Sequence, residues 1–497
     1  MISPSHSSRL AAWLLITSAF PQAFCATTTA PEGDPRSEDY TLRVDGKDVP
    51  VHACRVSAVP LNQVWPGYQR PIEQTELAAF ACWDMSGPVE VEIRCRRAPK
   101  LIAVRPSSLG VVPTQDGERI AFRLERPRPV VVEVDGPGHA LHLFASAPEK
   151  DVPGPDTPGV RYFGPGIHKP GRIALQSNQS VYIAAGAVVY GSIHANGASN
   201  IRIAGRGILD VSPFARGVGG GAVRLTDCSD AVIEGIVMRD PDEWCCALFG
   251  CRNVTISNVK LVGLWRYNAD GIDICNSENV TVKDSFVRAF DDALVIKGLR
   301  LGNPSLDNRP VRNVRFSRCV VWCDWGRAME IGAETSVPEI SGIVFEDSDI
   351  VRTTHIAMDI QHGDRAAIRD VRFENIRVQI DDWNPPPRMQ QARDEKYPEK
   401  PGDGYSPALL EIVIRKNPYS QDPGCGTVRD IVFKDIAVTS RREPSSSFRG
   451  FDAEHAVEGV TIQNLRFNDR AVGDAQAARL SIGPNVKKVG FLAATPR

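Results

Sequence analysis

With 60 acidic against 58 basic side chains in 497 residues, the chain is close to neutral, which excludes the basic stripe that nucleic-acid binders use on phosphates. Its length exceeds what one ordinary globular core accommodates and calls for an elongated body or more than one domain. Beyond the N-terminus no stretch reaches the roughly eighteen uninterrupted apolar residues of a membrane helix, so no membrane span is expected.

Residues 1–25 read as a secretory signal peptide. "MISPSHSSR" carries one Arg and no acid, "LAAWLLITSAF" is a short apolar run, and "PQAFCA" offers small residues for cleavage. The expectation is an exported protein, periplasmic or extracellular. None of the twelve cysteines forms a Cys-x-x-Cys pair, so no zinc site, and no other metal or cofactor, is expected. Export permits disulfides, while buried cysteines also serve as small apolar core residues.

Residues 38–150 alternate in short runs such as "YTLRVDG", "VEVEIRC", "RIAFRLE" and "VVVEVDG", with turn residues between them. That pattern predicts a small β-sandwich. A Pro/Gly-rich stretch, "DVPGPDTPGVRYFGPGIHKPG", follows as a junction.

Residues 160–497 form the second expected domain, and from residue 181 it carries a repeat. It runs as "NIRIAG" at 200, "DAVIEG" at 230, "NVTISN" at 253, "NVTVKD" at 279 and "NVRFSR" at 313. It continues as "GIVFED" at 342, "DVRFEN" at 370, "DIVFKD" at 430, "GVTIQN" at 459 and "KVGFLA" at 488. Spacings of 23 to 34 residues, with strands and no helical stretch, predict a parallel β-solenoid; propeller blades need about forty residues and four strands each. One spacing of 60 holds a Pro- and charge-rich insertion at 381–408. The first asparagine of a repeat such as Asn253 or Asn279 is placed to form a ladder along a turn.

A second strand recurs in each coil: "CALFG" at 246, "DGIDI" at 270, "DALVI" at 292, "RAMEI" at 327 and "IAMDI" at 356. Stacked about 4.8 Å apart, these place Asp270, Asp292 and Arg327 in one column and Asp273, Val295, Glu330 and Asp359 in another. Asp291 precedes Asp292 in "FDDALVIK", and both can face one groove only from a bend where the strand begins. Crowded carboxylates raise one another's pKa, so one stays protonated while another stays ionised, as glycosidic cleavage requires.

"NADG", then "DD" twenty-one residues after its Asp, then "GRAMEIG", resembles glycoside hydrolase family 28, the polygalacturonase family, as a divergent member. The resemblance implies a right-handed parallel β-helix. It implies catalysis by Asp270, Asp291 and Asp292, with Asp291 as general acid and the other two holding and deprotonating water for inversion. Asn268 matches the family's Asn-Thr-Asp motif. Arg327 stands where the family has the His of Gly-His-Gly. Asp359 and Gln361 stand where its Arg-Ile-Lys binds the substrate carboxylate. An acid and an amide there predict a neutral sugar whose hydroxyls bond to Glu330 and Asp359.

The expected partner is therefore a carbohydrate, contacted also by Lys297, Trp325 and His355. The readings set against this are a polysaccharide lyase acting on a uronate with Arg327 or Lys297 as base, and a carbohydrate-binding solenoid without catalysis. The N-terminal sandwich is expected to cover an open end of the solenoid.

Overall fold

The computed structural model describes residues 25–26, 29–63, 70–383, 385–392, 394–398 and 404–493. Apart from Cys25, the expected signal peptide lies outside the described residues.

The fold is all-β: a parallel β-helix preceded by a small two-sheet β-sandwich. The four N-terminal runs quoted above form the strands Tyr40–Val44, Val89–Cys95, Arg119–Leu124 and Pro129–Val134. Along Val89–Cys95 buried and outward residues alternate, the mark of a strand with one face on a core. The sandwich core lies between its two sheets, around Leu42, Trp83, Ile93 and Phe122.

The hexapeptide repeats form a twelve-stranded parallel sheet. Their second residues pair in one unbroken row, from Ile201 through Ala231, Val254, Val280, Val314, Ile343, Val371, Ile431 and Val460 to Val489. The first coil begins earlier than the repeat shows, because Val160–Phe163 and Gly166–Leu175 within and beyond the Pro/Gly-rich stretch are already strands of the helix. Asn200, Asn253, Asn279 and Asn313 take positive φ of 54–56°, which asparagine tolerates, and their side-chain amides bond from coil to coil at 2.9–3.2 Å. Inside, Phe316, Phe345, Phe373 and Phe433 stack with centroids 4.8–5.0 Å apart. Each such burial stabilises the fold by about 1.5–3 kcal/mol.

The recurring second strands form another stack: Ile272–Cys275, Leu294–Gly298, Arg327–Thr335 and Ile356–His362. Asp273 pairs with Val295, Val295 with Glu330, and Glu330 with Asp359, as the apolar alignment predicts. "CALFG" departs from it. Cys246 pairs with Ile272, so that segment sits two places further along than its apolar residues indicate.

The sandwich packs along the side of the β-helix instead of covering an end. Phe80, Phe144 and Val131 meet a row of outward residues on successive coils, from Val188 and Ile208 to Phe286, Trp322 and Val351. The insertion joins the two parts: Arg388–Gln390 pairs in parallel with Leu61–Gln63 of the sandwich. The eleven cysteines among the described residues from Cys54 onward are free thiols, and all but Cys82 are buried. No helix among the described residues is long and apolar enough to cross a membrane.

Candidate active site

Asp291 and Asp292 lie on a bend immediately before Leu294–Gly298, so two adjacent carboxylates reach the same side despite strand alternation. Within that strand Leu294 and Ile296 enter the core, leaving Val295 and Lys297 on the outer face. The bend is clamped by the next coil: Gly326 N–H donates to the Phe290 carbonyl at 3.1 Å, and Ala293 N–H to the Arg327 carbonyl at 2.8 Å. A Cβ on Gly326 would stand 2.6 Å from Asp292 Oδ1 and 2.7 Å from Asp292 N, so only glycine fits against the pair. On the other side Gly271 N–H donates to the Asp292 carbonyl at 2.8 Å and carries the neighbouring Asp270 into place.

These three carboxylates, with Asn268 and Lys297, line a pocket of about 460 Å³. Trp325, Arg327, Glu330 and Gln361 also line it. His355 and Asp359 do not. His355 stands edge-on to Trp325 at 6.1 Å, and Asp359 is fully buried with Oδ2 3.4 Å from Arg327 Nε. The Trp325 indole N–H donates to the Arg388 carbonyl at 3.0 Å, and its ring stacks on Phe290.

The acids are not a solvated face. Asp270, Asp291 and Asp292 are 3%, 8% and 7% exposed. Burial, and then the charge of Asp292, push Asp291 up to about 7. Burial also opposes ionisation of Asp292, but Arg327, a hydrogen bond with Glu330 and the ammonium of Lys297 outweigh it and hold that carboxyl below the usual range. Asp270 is held well above the ordinary range by burial and by Asp273 and Asp291. Burial and Asp292 push Glu330 the same way, above the ordinary range. Two neighbours with opposed protonation states are what acid–base chemistry near neutral pH needs.

The cations of the pocket are engaged. Lys297 Nζ lies 3.4 Å from Glu334 and 3.9 Å from Asp270, and above the Trp244 ring at 5.1 Å. Burial disfavours its charge, yet Glu334, Asp270 and Glu330 together raise its pKa well above that of an ordinary lysine. Arg327 is shared among Asp292, Glu330 and Asp359. Lys416 Nζ donates to the carbonyls of Gly363, Asp422 and Gly424. Arg415 donates to Gln361 Oε1 at 2.9 Å.

Residues 215–385 match the family model described as glycosyl hydrolases family 28. Over that stretch, about a third of its length, the chain is similar to the family-28 glycosyl hydrolases. It is similar to a probable rhamnogalacturonase A of Aspergillus oryzae, 23% identical over 31% of this chain and 30% of that one. It is also similar to polygalacturonase QRT2 of Arabidopsis thaliana, 21% identical over 54% of this chain and 53% of that one. The chain thus spans 30% and 53% of the length of these two relatives. Among solved structures, Dex49A from Penicillium minioluteum shares the fold, with a TM-score of 0.64 at 17% identity over 93% of this chain and 96% of that one.

The family-28 motifs mark the pocket floor but not its walls. Asn62 reaches it from the sandwich, Met389 from the insertion, and Arg415 to Tyr419 from a loop beyond the motif coils. Tyr267 also lines the pocket, one residue before the "NADG" signal that marks Asn268 and Asp270. That adjacency was the available clue; the other wall residues belong to no repeat.

Proposed function

We propose that the protein is an exported glycoside hydrolase that cleaves O-glycosidic bonds with inversion, using Asp291 as general acid and Asp270 and Asp292 on the water. The observation that carries this reading is the convergence of the three aspartates on one pocket, with Asp291 pushed to about 7 beside an Asp292 held ionised. Asp291 gives its proton to the glycosidic oxygen as the bond from the anomeric carbon breaks. Water adds to that carbon from the opposite face and yields a proton to Asp292, while Asp270 orients it. One water is consumed, two hydroxyl ends form, and solvent exchange resets both carboxyls.

A neutral sugar is the substrate favoured by the lining, since Lys297 and Arg327 are already paired with carboxylates and Lys416 with carbonyls. Asp359 does not supply the hydroxyl acceptor expected from the sequence, because it lies beneath Arg327; Gln361 and Glu334 line the pocket instead. The lyase reading fits poorly with Lys297 and Arg327. Neighbouring carboxylates stabilise the protonated form of each, whereas a base must be unprotonated.

A panel of neutral α- and β-linked glycans and uronates tests the proposal by reducing-sugar release. NMR of the first-formed product is expected to show the inverted anomer. A retained anomer would refute the inverting assignment, and an unsaturated product absorbing in the ultraviolet would replace hydrolysis by elimination.

A further inference from the structure

Resting on the hydrolase reading, we infer that Trp244 is a positioning residue, whose ring holds the Lys297 ammonium beside Asp270, and not a platform for sugar. The inference starts from register. Cys246 pairs with Ile272, Ile272 with Leu294, and Leu294 with Met329. Two residues before each of these four stand Trp244, Asp270, Asp292 and Arg327. The two-place shift of "CALFG" therefore puts the tryptophan at the head of the aspartate column. The Cys245 amide donates to the Asp270 carbonyl at 2.9 Å and joins the two coils at that point.

The Trp244 ring already has protein neighbours. Phe249 stacks on it with centroids 6.1 Å apart and planes 11° apart, and Lys297 Nζ stands over it at 5.1 Å. Arg224 lies over Phe249 at 4.4 Å, so a stack of two rings is flanked by two cations on the outer face of the coils. Cys246 and Leu248 of the same segment enter the core, which leaves this stack outside the main packing. Its base is fixed. Asp242 accepts the amides of Gly219 and Gly221 at 2.8 and 2.9 Å, and a Cβ on Gly221 would stand 2.0 Å from the Trp244 carbonyl oxygen.

What the ring does follows from the other partners of Lys297. Nζ donates to the Gly332 carbonyl at 3.2 Å and lies 3.4 Å from Glu334, both on the coil after its own. These draw it away from Asp270, which is 3.9 Å off on the coil before. Trp244, one coil earlier still, draws it back. Lys297 is 4% exposed, so water screens little of the attraction between ammonium and ring. Without the ring, Lys297 would settle on Glu334 and Asp270 would lose its ion-pair partner. Facing the ammonium are Asp270 and Asp273 from the coil before, Asp291 and Asp292 on its own, and Glu330 and Glu334 from the coil after. Lys297 lowers the pKa of all four aspartates, so moving it toward Glu334 raises them.

The experiment compares Trp244→Leu and Trp244→Phe with wild type on the best substrate of the panel. Trp244→Leu is expected to lower kcat on the order of tenfold at unchanged KM, and to move both limbs of the pH profile upward. Trp244→Phe keeps a ring face and should restore most of both. A raised KM with kcat and pH limbs unchanged would make Trp244 a sugar contact and overturn the inference. A lower melting temperature with both kinetic readouts unchanged would make its role merely structural and overturn it equally. Carbon-13 NMR of aspartate-labelled protein reads the carboxyls without turnover, with Asp291→Asn assigning the resonance. Asp291 should titrate at higher pH in Trp244→Leu, and an unmoved titration would contradict the positioning role. If no glycan yields reducing ends, the hydrolase reading fails, and this titration still decides the role of Trp244.

Discussion

The Arg327 backbone amide donates to Asp292 Oδ1 at 2.9 Å, and its guanidinium Nη1 lies 3.7 Å from that same oxygen. One residue supplies a directed donor and a countercharge to the proposed base, at the position where the family-28 motif carries a histidine. The amide bond survives any substitution except proline; the charge does not.

Arg327→Gln therefore isolates the charge. Arg327 lowers the pKa of both Asp292 and Asp291, so its loss raises both. The acidic limb, set by ionisation of Asp292, and the alkaline limb, set by the proton on Asp291, both move to higher pH. The measurement is kcat/KM against pH for wild type and variant. Limbs that stay in place would mean that Arg327 does not tune the pair.

For the wild type, Asp291 at about 7 predicts a rate that falls as pH rises through about 7, because the acid loses its proton there. A rate still climbing through pH 8 would remove Asp291 from the acid role.

Asp270→Asn is expected to raise the melting temperature at pH 7 while abolishing most turnover. The sign follows from linkage. A carboxyl whose folded pKa lies above its unfolded value costs stability as pH rises past the unfolded pKa, about 3.9 for Asp. An amide removes that cost. Thermal scans at pH 4 and pH 7 should show the gain only at the higher pH, and a gain of equal size at both would point to another cause.

Polygalacturonate is expected to turn over poorly beside neutral glycans. The positions matching the family's carboxylate-binding Arg and Lys are Asp359 and Gln361, and the latter accepts a hydrogen bond from Arg415. Asp359 is screened by Arg327, so direct repulsion is weaker than sequence alone implies; what disfavours a uronate is that Lys297 and Arg327 are already paired with carboxylates and Lys416 with carbonyls, leaving Arg415, bonded to the neutral Gln361, as the one of these four cations without an ion pair or carbonyl partner among the described residues. Efficient hydrolysis of polygalacturonate would contradict this, with Arg415→Ala the variant to examine first.

The repeat, the parallel stacking and the column from Asp273 to Asp359 were legible because side-chain period and coil period are both written in the sequence. "CALFG" was misaligned by two because its apolar residues fit either register, and only pairing with Ile272 chooses. The domain boundary at 160 took in the first coil, but its strands did not show in the repeat because prolines and glycines surround Val160–Phe163. Asn62, Met389 and Tyr419 were not legible as site residues, since their approach depends on a strand pairing across more than three hundred residues and on a loop outside the repeat. Nor did the pattern show that the outward carboxylates are buried: alternation separates the core from the outer face, but it does not reveal what covers that outer face.

The most direct test of the account is the initial rate of reducing-sugar release by Asp270→Asn, Asp291→Asn and Asp292→Asn against wild type, on whichever glycan the panel identifies. Each variant is expected to fold and to lose on the order of 10²–10⁴-fold in kcat, the range for removing a general acid or base. A folded variant of any of the three that kept near-wild-type turnover would contradict the three-aspartate mechanism.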